Sequence, residues 1–299
     1  MDRKFGIIVK DHAYLRGEPE KNSGCSLSSI EDEVFSGWAI RILPETSECG
    51  WAKVRTHYGY EGFLAENDFR VIEKGELENR QDKTRYFRVN IGNADLLDCP
   101  KVQGLPQELL FKNALVELLE HEKEGWSRVR TASGKEGFVH SKYLSSREDD
   151  DGYLLKEEAD YFIRKAKECK MAEDDFREKV IKNAKAYLGV QYRWGGKSAQ
   201  GIDCSGLAFN SYMENGVLIY RDAHMEPGYP IHQIDRKDLK KGDLIFFPGH
   251  VAIYLGDGKY IHSTAYLQTP CVTVNSLRPE DQDYRADLVE KICACGSLF

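Results

Sequence analysis

Three side chains in the last third of the chain have the types and the order that nucleophilic catalysis needs. Cys204 follows a glycine-rich loop and opens an apolar helix in the run DCSGLAFNSY, so we expect it at a helix N-terminus. There the dipole and the free N–H groups of the helix would lower the pKa of the thiol from about 8.5 and could receive an oxyanion. A thiolate also needs a base, for which His250 and His262 are the candidates.

Both histidines lie in a predicted β-hairpin with a glycine-rich turn. If Leu255 faces Lys259 across that turn, His250 falls opposite Thr264, and His262 is its diagonal neighbour on the same face. In this register His262 can fix the tautomer of His250, the role that a carboxylate or an amide has in other triads. A slip of one residue would separate the two side chains. A lone cysteine or histidine is more often structural than catalytic, so the prediction depends on their combination.

A repeat with a period of 75 residues organises the first half of the chain. The segments GWAKVRTHYGYEGF, from Gly50, and GWSRVRTASGKEGF, from Gly125, are identical at nine of fourteen positions. Each copy alternates apolar and polar residues at the period of two that is typical of strands, so we expect two small all-β barrels before an α+β domain. The charged stretch 146–152 is expected to be a solvated linker. The predicted domains are residues 1–78 and 79–147 for the barrels, 148–170 for a linker and helix, and 171–299 for the α+β domain.

Composition excludes several other classes of function. The formal net charge of −7 argues against a nucleic-acid partner or an anionic membrane surface. The N-terminal apolar run is too short for a signal peptide and no run approaches a membrane span, so we expect a cytoplasmic protein, or a secreted or periplasmic one if a leader was removed. The eight cysteines contain no C-x-x-C pair, and the histidines have no metal-ligand spacing. We therefore expect reduced cysteines, no metal and no cofactor.

Residues 176–292 resemble the NlpC-type cysteine peptidases, a papain-like family that cuts bacterial cell-wall peptides. The motifs that carry the resemblance are YRWGG at 192–196, DCSG at 203–206, GDLIFF at 242–247, GHVAIYLG at 249–256 and IH at 261–262. The resemblance implies that Cys204 is the nucleophile, His250 the general base and His262 the third member. It also implies hydrolysis of the bond between γ-D-glutamate and a diamino acid, meso-diaminopimelate or lysine, in peptidoglycan stem peptides.

The two repeats look like bacterial SH3-like domains, and two of them before the peptidase is an order similar to that of the γ-D-glutamyl-L-diamino-acid endopeptidases. That subfamily implies a free N-terminal L-Ala on the substrate and a role in recycling released stem peptides. Its motifs imply that Asp203 binds the L-Ala ammonium and that Asp222 contacts the D-Glu backbone. By the same resemblance, the remaining substrate contacts are Tyr192, Trp194, Ser205 and, from the first repeat, Tyr60 with Tyr58 as the alternative.

Some alternatives stay open at this point. A glutamate that the subfamily often has is missing near residues 23–25, which puts a second ammonium anchor in doubt. Asp203 is also a suitable N-cap for the Cys204 helix, and Tyr192 and Trp194 could be core aromatics. Competing functions are a papain-like amidase or acyltransferase, and a catalytically silent module that binds wall peptides. The sequence does not indicate an oligomeric state.

Overall fold

The computed structural model describes residues 4–19, 29–44 and 50–299, and the chain divides into two compact units, Met1–Lys156 and Glu157–Phe299. The first unit is dominated by strands, and the second combines helices with one main sheet. Within these described ranges, no helix has both the length and the apolar composition that a bilayer crossing would require.

The first unit begins with a seven-stranded sheet in which all the paired strands are antiparallel. Its spatial order is β3-β2-β6-β5-β4-β1-β7. Burial alternates strictly along β5, as the period-two pattern of the repeat predicts. The strands are β1 (Lys4–Ile8), β2 (His12–Arg16), β3 (Ile30–Phe35), β4 (Ala39–Ile42), β5 (Trp51–Thr56), β6 (Glu61–Ala65) and β7 (Phe69–Ile72), followed by the helix α1 (Lys74–Asn79).

A second seven-stranded sheet repeats this topology, with the order β10-β9-β13-β12-β11-β8-β14. The predicted duplication is therefore confirmed in the fold. Gly59 and Gly134, which both copies share, have φ of 84° and 90° in the turn after the W-x-x-V-R strand, a conformation that favours glycine. The strands are β8 (Tyr86–Val89), β9 (Asn93–Leu97), β10 (Pro106–Phe111), β11 (Leu115–Lys123), β12 (Trp126–Arg130), β13 (Glu136–His140) and β14 (Leu144–Ser146).

Three charged residues of the stretch after β14, Arg147, Asp149 and Asp151, are buried, so the expectation of a solvated linker is wrong for them. Arg147 donates to Asp151 at 2.8 and 2.7 Å and to Asp149 at 3.1 and 3.3 Å, and all three are at least 93% buried. Burial alone would raise the pKa of Asp149, but Arg147, His57 and Arg88 hold it well below its usual value. A buried charge is tolerated because each carboxylate has a cationic partner. The short helix α2 (Gly152–Lys156) follows, and its Leu154 joins the core of the first sheet.

The second unit is an α+β domain, as the sequence predicts. Its main sheet has the order β17-β22-β18-β19-β20-β21, and the helix that begins at Cys204 is buried along its whole length and packs on β19. The end of the chain, beyond the residues 176–292 that carry the family resemblance, forms β22, which pairs with β17 and β18. The elements are α3 (Tyr161–Lys167), α4 (Glu173–Lys185), β15 (Lys197–Ser198), β16 (Gly201–Ile202), α5 (Cys204–Met213), β17 (His232–Ile234), β18 (Leu244–Phe247), β19 (His250–Gly256), β20 (Lys259–Ser263), β21 (Val272–Ser276), α6 (Ala286–Val289) and β22 (Ala294–Ser297).

Candidate active site

Cys204 is the first residue of α5, and Asp203 is the N-cap of that helix. The Gly206 N–H donates to Oδ1 of Asp203 at 2.6 Å, and the Gly195 N–H donates to Oδ2 at 2.9 Å. These bonds join the glycine-rich loop to the first turn of the helix. The capping role that the sequence analysis gave as an alternative for Asp203 is therefore confirmed, and Cys204 is held where the free N–H groups of α5 begin.

Arg221 forms a buried ion pair with Asp203 that the sequence analysis missed. Its guanidinium donates to both carboxylate oxygens, at 3.1 and 2.9 Å, and to Oγ of Ser205 at 2.7 Å. Arg221 is 1% exposed. A signal was available in the sequence, because a buried carboxylate needs a cation and the R-D-A segment offers one next to Asp222. The pair fixes Asp203 and Ser205 on either side of the nucleophile.

The thiol of Cys204 is protonated at rest, contrary to the expectation of a thiolate. Burial, followed by the charge of Asp203, raises the pKa of this thiol to about 12. The N–H groups of Val251 and Ser205 and the charge of Arg221 act in the opposite direction but are outweighed. The interaction with the Val251 N–H places the sulfur against the start of β19, the strand whose first residue is His250. The side chain is 7% exposed, so the N-terminus of the helix does not face water.

His250 and His262 contact each other across the β19–β20 hairpin. Nε2 of His250 and Nδ1 of His262 are 2.7 Å apart. The pairs Ile253–Ile261 and Tyr254–Tyr260 confirm the predicted register. Extended to His250, this register gives the predicted diagonal arrangement.

The turn of that hairpin differs from the prediction. Gly256, rather than Leu255, pairs with Lys259, and an irregularity precedes it. Asp257 and Gly258, with φ of 50° and 74°, form a two-residue turn with positive φ at both positions. The extra residue is absorbed in β19, so the register of the histidines is unchanged.

A fourth polar residue, Asn275 on β21, extends the chain of contacts. Its Oδ1 lies 2.9 Å from Nε2 of His262, and its Nδ2 donates to the carbonyl oxygen of Asp283 at 2.8 Å. Sequence reasoning missed Asn275 because its strand follows a loop that no motif covers. Burial, the neighbouring His262 and Arg285 lower the pKa of His250 to about 3, and burial lowers that of His262 to about 4. Both imidazoles are therefore neutral at rest.

Of the predicted substrate-contacting residues of this unit, Ser205 follows the nucleophile in α5 and Tyr192 lies close enough to Cys204 to interact with it electrostatically. Ser205 and Asp222 line one cavity, together with Val251. Tyr192 is half-buried, and burial, Cys204 and Asp203 raise its pKa. Trp194 is 61% exposed, so it is not a core aromatic. Among the described residues, no group of three or more His, Cys, Asp or Glu side chains could hold a metal ion.

The candidates from the repeats lie in the first unit. Tyr60 is half-buried in the turn between β5 and β6, where its N–H donates to Oγ1 of Thr56 at 3.0 Å. Tyr58, the alternative, is 1% exposed, and its hydroxyl donates to the carboxylate of Asp32. Of the two, Tyr60 has the more accessible ring. Residues 23–25 lie outside the described residues.

Comparison with known proteins agrees with this geometry. The sequence pattern of the NlpC/P60 family matches residues 189–283. The chain is 36% identical over 296 residues to the dipeptidyl-peptidase 6 of Lysinibacillus sphaericus, an alignment that covers 98% of this chain and 99% of that protein. It is 35% identical over 254 residues to the gamma-D-glutamyl-L-lysine dipeptidyl-peptidase of Bacillus cereus, covering 79% and 68%.

Among solved structures, an NlpC/P60 family protein from Bacillus cereus covers 97% of this chain and is itself covered over 98%, with a TM-score of 0.72 at 21% identity. That likeness extends the shared fold over both β-rich sheets as well as the α+β domain. The chain belongs to the NlpC/P60 family, and it is a cysteine peptidase.

Proposed function

We propose that the protein is an endopeptidase that hydrolyses the bond between γ-D-glutamate and the diamino acid in peptidoglycan stem peptides with a free N-terminal L-Ala. The observation that carries this proposal is the similarity to dipeptidyl-peptidase 6 over 98% of the chain, which includes both repeats as well as the catalytic unit. A dipeptidyl-peptidase releases two residues from a free amine, and L-Ala-γ-D-Glu is the dipeptide that such a cut would release. Substrates of this kind are released stem peptides, so the proposed role is in recycling them.

In the proposed mechanism, Cys204 attacks the γ-carbonyl carbon of D-Glu while His250 takes the thiol proton. Because both groups are neutral at rest, the thiolate–imidazolium pair forms only as the bond to carbon forms. The free N–H groups at the start of α5 would stabilise the oxyanion. His250 then gives its proton to the leaving amine of the diamino acid. Water, deprotonated by His250, hydrolyses the thioester and restores the thiol.

Charges near Ser205 support recognition of an ammonium group. Asp203 and Arg221 neutralise each other, so Asp203 alone would attract a cation weakly. Asp222 and Glu226 line the same cavity as Ser205, and His224 lies 3.2 Å from Glu226, so two carboxylates face one imidazole there. An acylated N-terminus would lack the positive charge that this cavity favours. The free-amine requirement would then depend on Asp222 and Glu226 as well as on Asp203.

The experiment uses L-Ala-γ-D-Glu-meso-diaminopimelate, its lysine counterpart and their N-acetylated twins, with release of the diamino acid as the readout. We expect cleavage of the free-amine peptides alone and none by a Cys204→Ala variant. Equal cleavage of the acetylated peptides would show that the enzyme does not require a free N-terminal amine. Failure to cleave any of the four peptides would overturn the proposed function and favour an amidase, an acyltransferase or a binding module.

The contribution of the first repeat has a matched control inside the molecule. Tyr60 and Lys135 occupy equivalent positions of the two copies. If Tyr60 contacts substrate, Tyr60→Ala raises KM by about tenfold, the order of one lost aromatic contact. Lys135→Ala leaves KM unchanged. Equal effects of the two substitutions would exclude a special role for the first copy.

A further inference from the structure

Asn275 occupies a position from which it can act on the catalytic base through His262. Asn275 lies on β21 directly opposite Tyr260, so it shares a face with His262, which is two residues further along β20. The separation between Oδ1 and Nε2 of His262 is 2.9 Å, a normal hydrogen-bond distance. His262 is fully buried, so no water competes for this nitrogen.

The orientation of the Asn275 amide is decided by its second contact. Its other terminal atom lies 2.8 Å from the carbonyl oxygen of Asp283. A carbonyl oxygen only accepts, so the atom that faces it is the NH2 group. A flipped amide would bring two acceptors together at that distance and leave both unsatisfied. Oδ1 therefore faces His262, and Nε2 of His262 carries a hydrogen.

The same donor and acceptor rule extends to His250. A neutral imidazole has one N–H and one bare nitrogen, so the bare nitrogen of His262 is Nδ1. Nδ1 lies 2.7 Å from Nε2 of His250, which must then be the donor. Nδ1 of His250 is left as the bare nitrogen, so it is the ring nitrogen that can accept a proton from the thiol of Cys204. If His262 carried its hydrogen on Nδ1 instead, His250 would have to carry one on its own Nδ1 and could not accept the proton.

We propose that Asn275 is a positioning residue that fixes, through His262, the tautomer in which Nδ1 of His250 is the general base. This inference builds on the proposed function in taking His250 as the base. When Nδ1 accepts the proton of the Cys204 thiol, the Nε2–H of His250 continues to donate to His262. No proton is therefore transferred from His250 to His262 or Asn275. The proton on Nδ1 later passes to the leaving amine. The pKa values of His250 and His262 are both lowered, which agrees with neutral rings before Cys204 attacks the substrate.

The direct test needs no substrate, so its failure is distinct from failure of the proposed function. Two-bond proton–nitrogen NMR correlations of the full chain labelled with 15N-histidine report which nitrogen of each ring carries hydrogen. We expect hydrogen on Nε2 of both His250 and His262. Hydrogen on Nδ1 of either ring would overturn the proposal, whether or not the peptides are cleaved.

Two variants separate the hydrogen bond from simple packing. Asn275→Leu keeps the volume but removes the acceptor, so we expect His262 to become a mixture of tautomers and kcat to fall by about 10- to 100-fold with KM little changed. Asn275→Asp keeps an acceptor toward His262 but loses the N–H that donates to Asp283, so the Nε2–H tautomer should return and kcat should recover in part. Thr273→Val, directly opposite His262 in the same strand pair, is the control and should change neither. Equal loss in Asn275→Leu and Asn275→Asp with unchanged tautomers would show that Asn275 is only structural.

Discussion

Two clusters of polar side chains meet the start of α5, and both contain buried groups. One is the series Cys204, His250, His262 and Asn275, and the other is the Asp203–Arg221 pair. In the Asp203–Arg221 salt bridge, each buried group faces an oppositely charged partner within 3.1 Å. In the other cluster the groups are neutral, because burial raises the pKa of the thiol and lowers those of the imidazoles. The difference teaches that burial neutralises a group unless a charged partner is buried with it.

This comparison also explains why the expected thiolate is absent. A helix N-terminus stabilises an anion by about 1 kcal/mol or less, which is under one pKa unit. Burial without a cationic partner acts on the same thiol more strongly, and the nearby Asp203 adds to it. Arg221 is near enough to lower the pKa of the thiol, but its two terminal nitrogens, Nη1 and Nη2, donate to Ser205 and Asp203. The proton therefore passes from Cys204 to His250 only when the substrate is bound.

The largest expected effect comes from removing the nucleophile, Cys204, from the group of neutral catalytic side chains. Cys204→Ala should lower kcat by a factor on the order of 10⁶, while the free energy of unfolding changes little. Cys295, which is also buried but lies on β22, provides the control. Cys295→Ala should keep full turnover in the same peptide assay. Residual turnover by Cys204→Ala within a factor of ten of the wild type would exclude Cys204 as the nucleophile.

Breaking the Asp203–Arg221 ion pair should lower the free energy of unfolding as well as the rate of catalysis. Arg221→Leu leaves a buried carboxylate unpaired, so we expect the free energy of unfolding in urea to fall by about 3–5 kcal/mol. Adding Asp203→Asn to that variant should recover part of the loss, since no unpaired charge remains. Arg128→Leu, at an exposed ion pair with Glu136, is the control and should cost about 1 kcal/mol or less. Similar losses at Arg221 and Arg128 would contradict the contrast between buried and exposed pairs.

The protonated thiol predicts the pH dependence of alkylation. With a pKa of about 12, the thiolate fraction of Cys204 rises about tenfold per pH unit through the neutral and alkaline range. The rate of modification by iodoacetamide in the free protein, followed by mass spectrometry, should rise in the same way. Cys293 is exposed and should react faster at pH 7. A rate at Cys204 that is already constant between pH 6 and 9 would mean a preformed thiolate.

The most gradual expected effect is on stability in acid. The folded pKa of His262 is about 4 and the ordinary value is 6.5, so between these pH values the native state binds fewer protons than the unfolded chain. Stability therefore falls as pH falls through that window, by up to about 1.4 kcal/mol per pH unit for this group. His262→Gln should reduce the slope of unfolding free energy against pH by that amount. An unchanged slope would show that His262 is not neutral in the folded protein.

Much of the fold and part of the site follow from local patterns in the sequence. The repeat, its alternating strands, the helix that begins at Cys204 and the register of His250 with His262 all depend on residues close together in the chain. Backbone geometry links such residues directly, because the period of two and a short turn together determine which side chains share a face. These features are determined by the sequence itself, without knowledge of the packing around them.

Only the tertiary structure decided the partners and the charge states. Arg221 meets Asp203, and Asn275 meets His262, across segments with no periodic relation, so no local pattern selects these pairs. Arg147 and its carboxylates are typical of a solvated linker in sequence and are buried in the fold. The protonation of Cys204 depends on how much water the packed domain excludes and on which charges remain nearby. Desolvation is a property of the whole packed domain, and for that reason composition and spacing could not determine it.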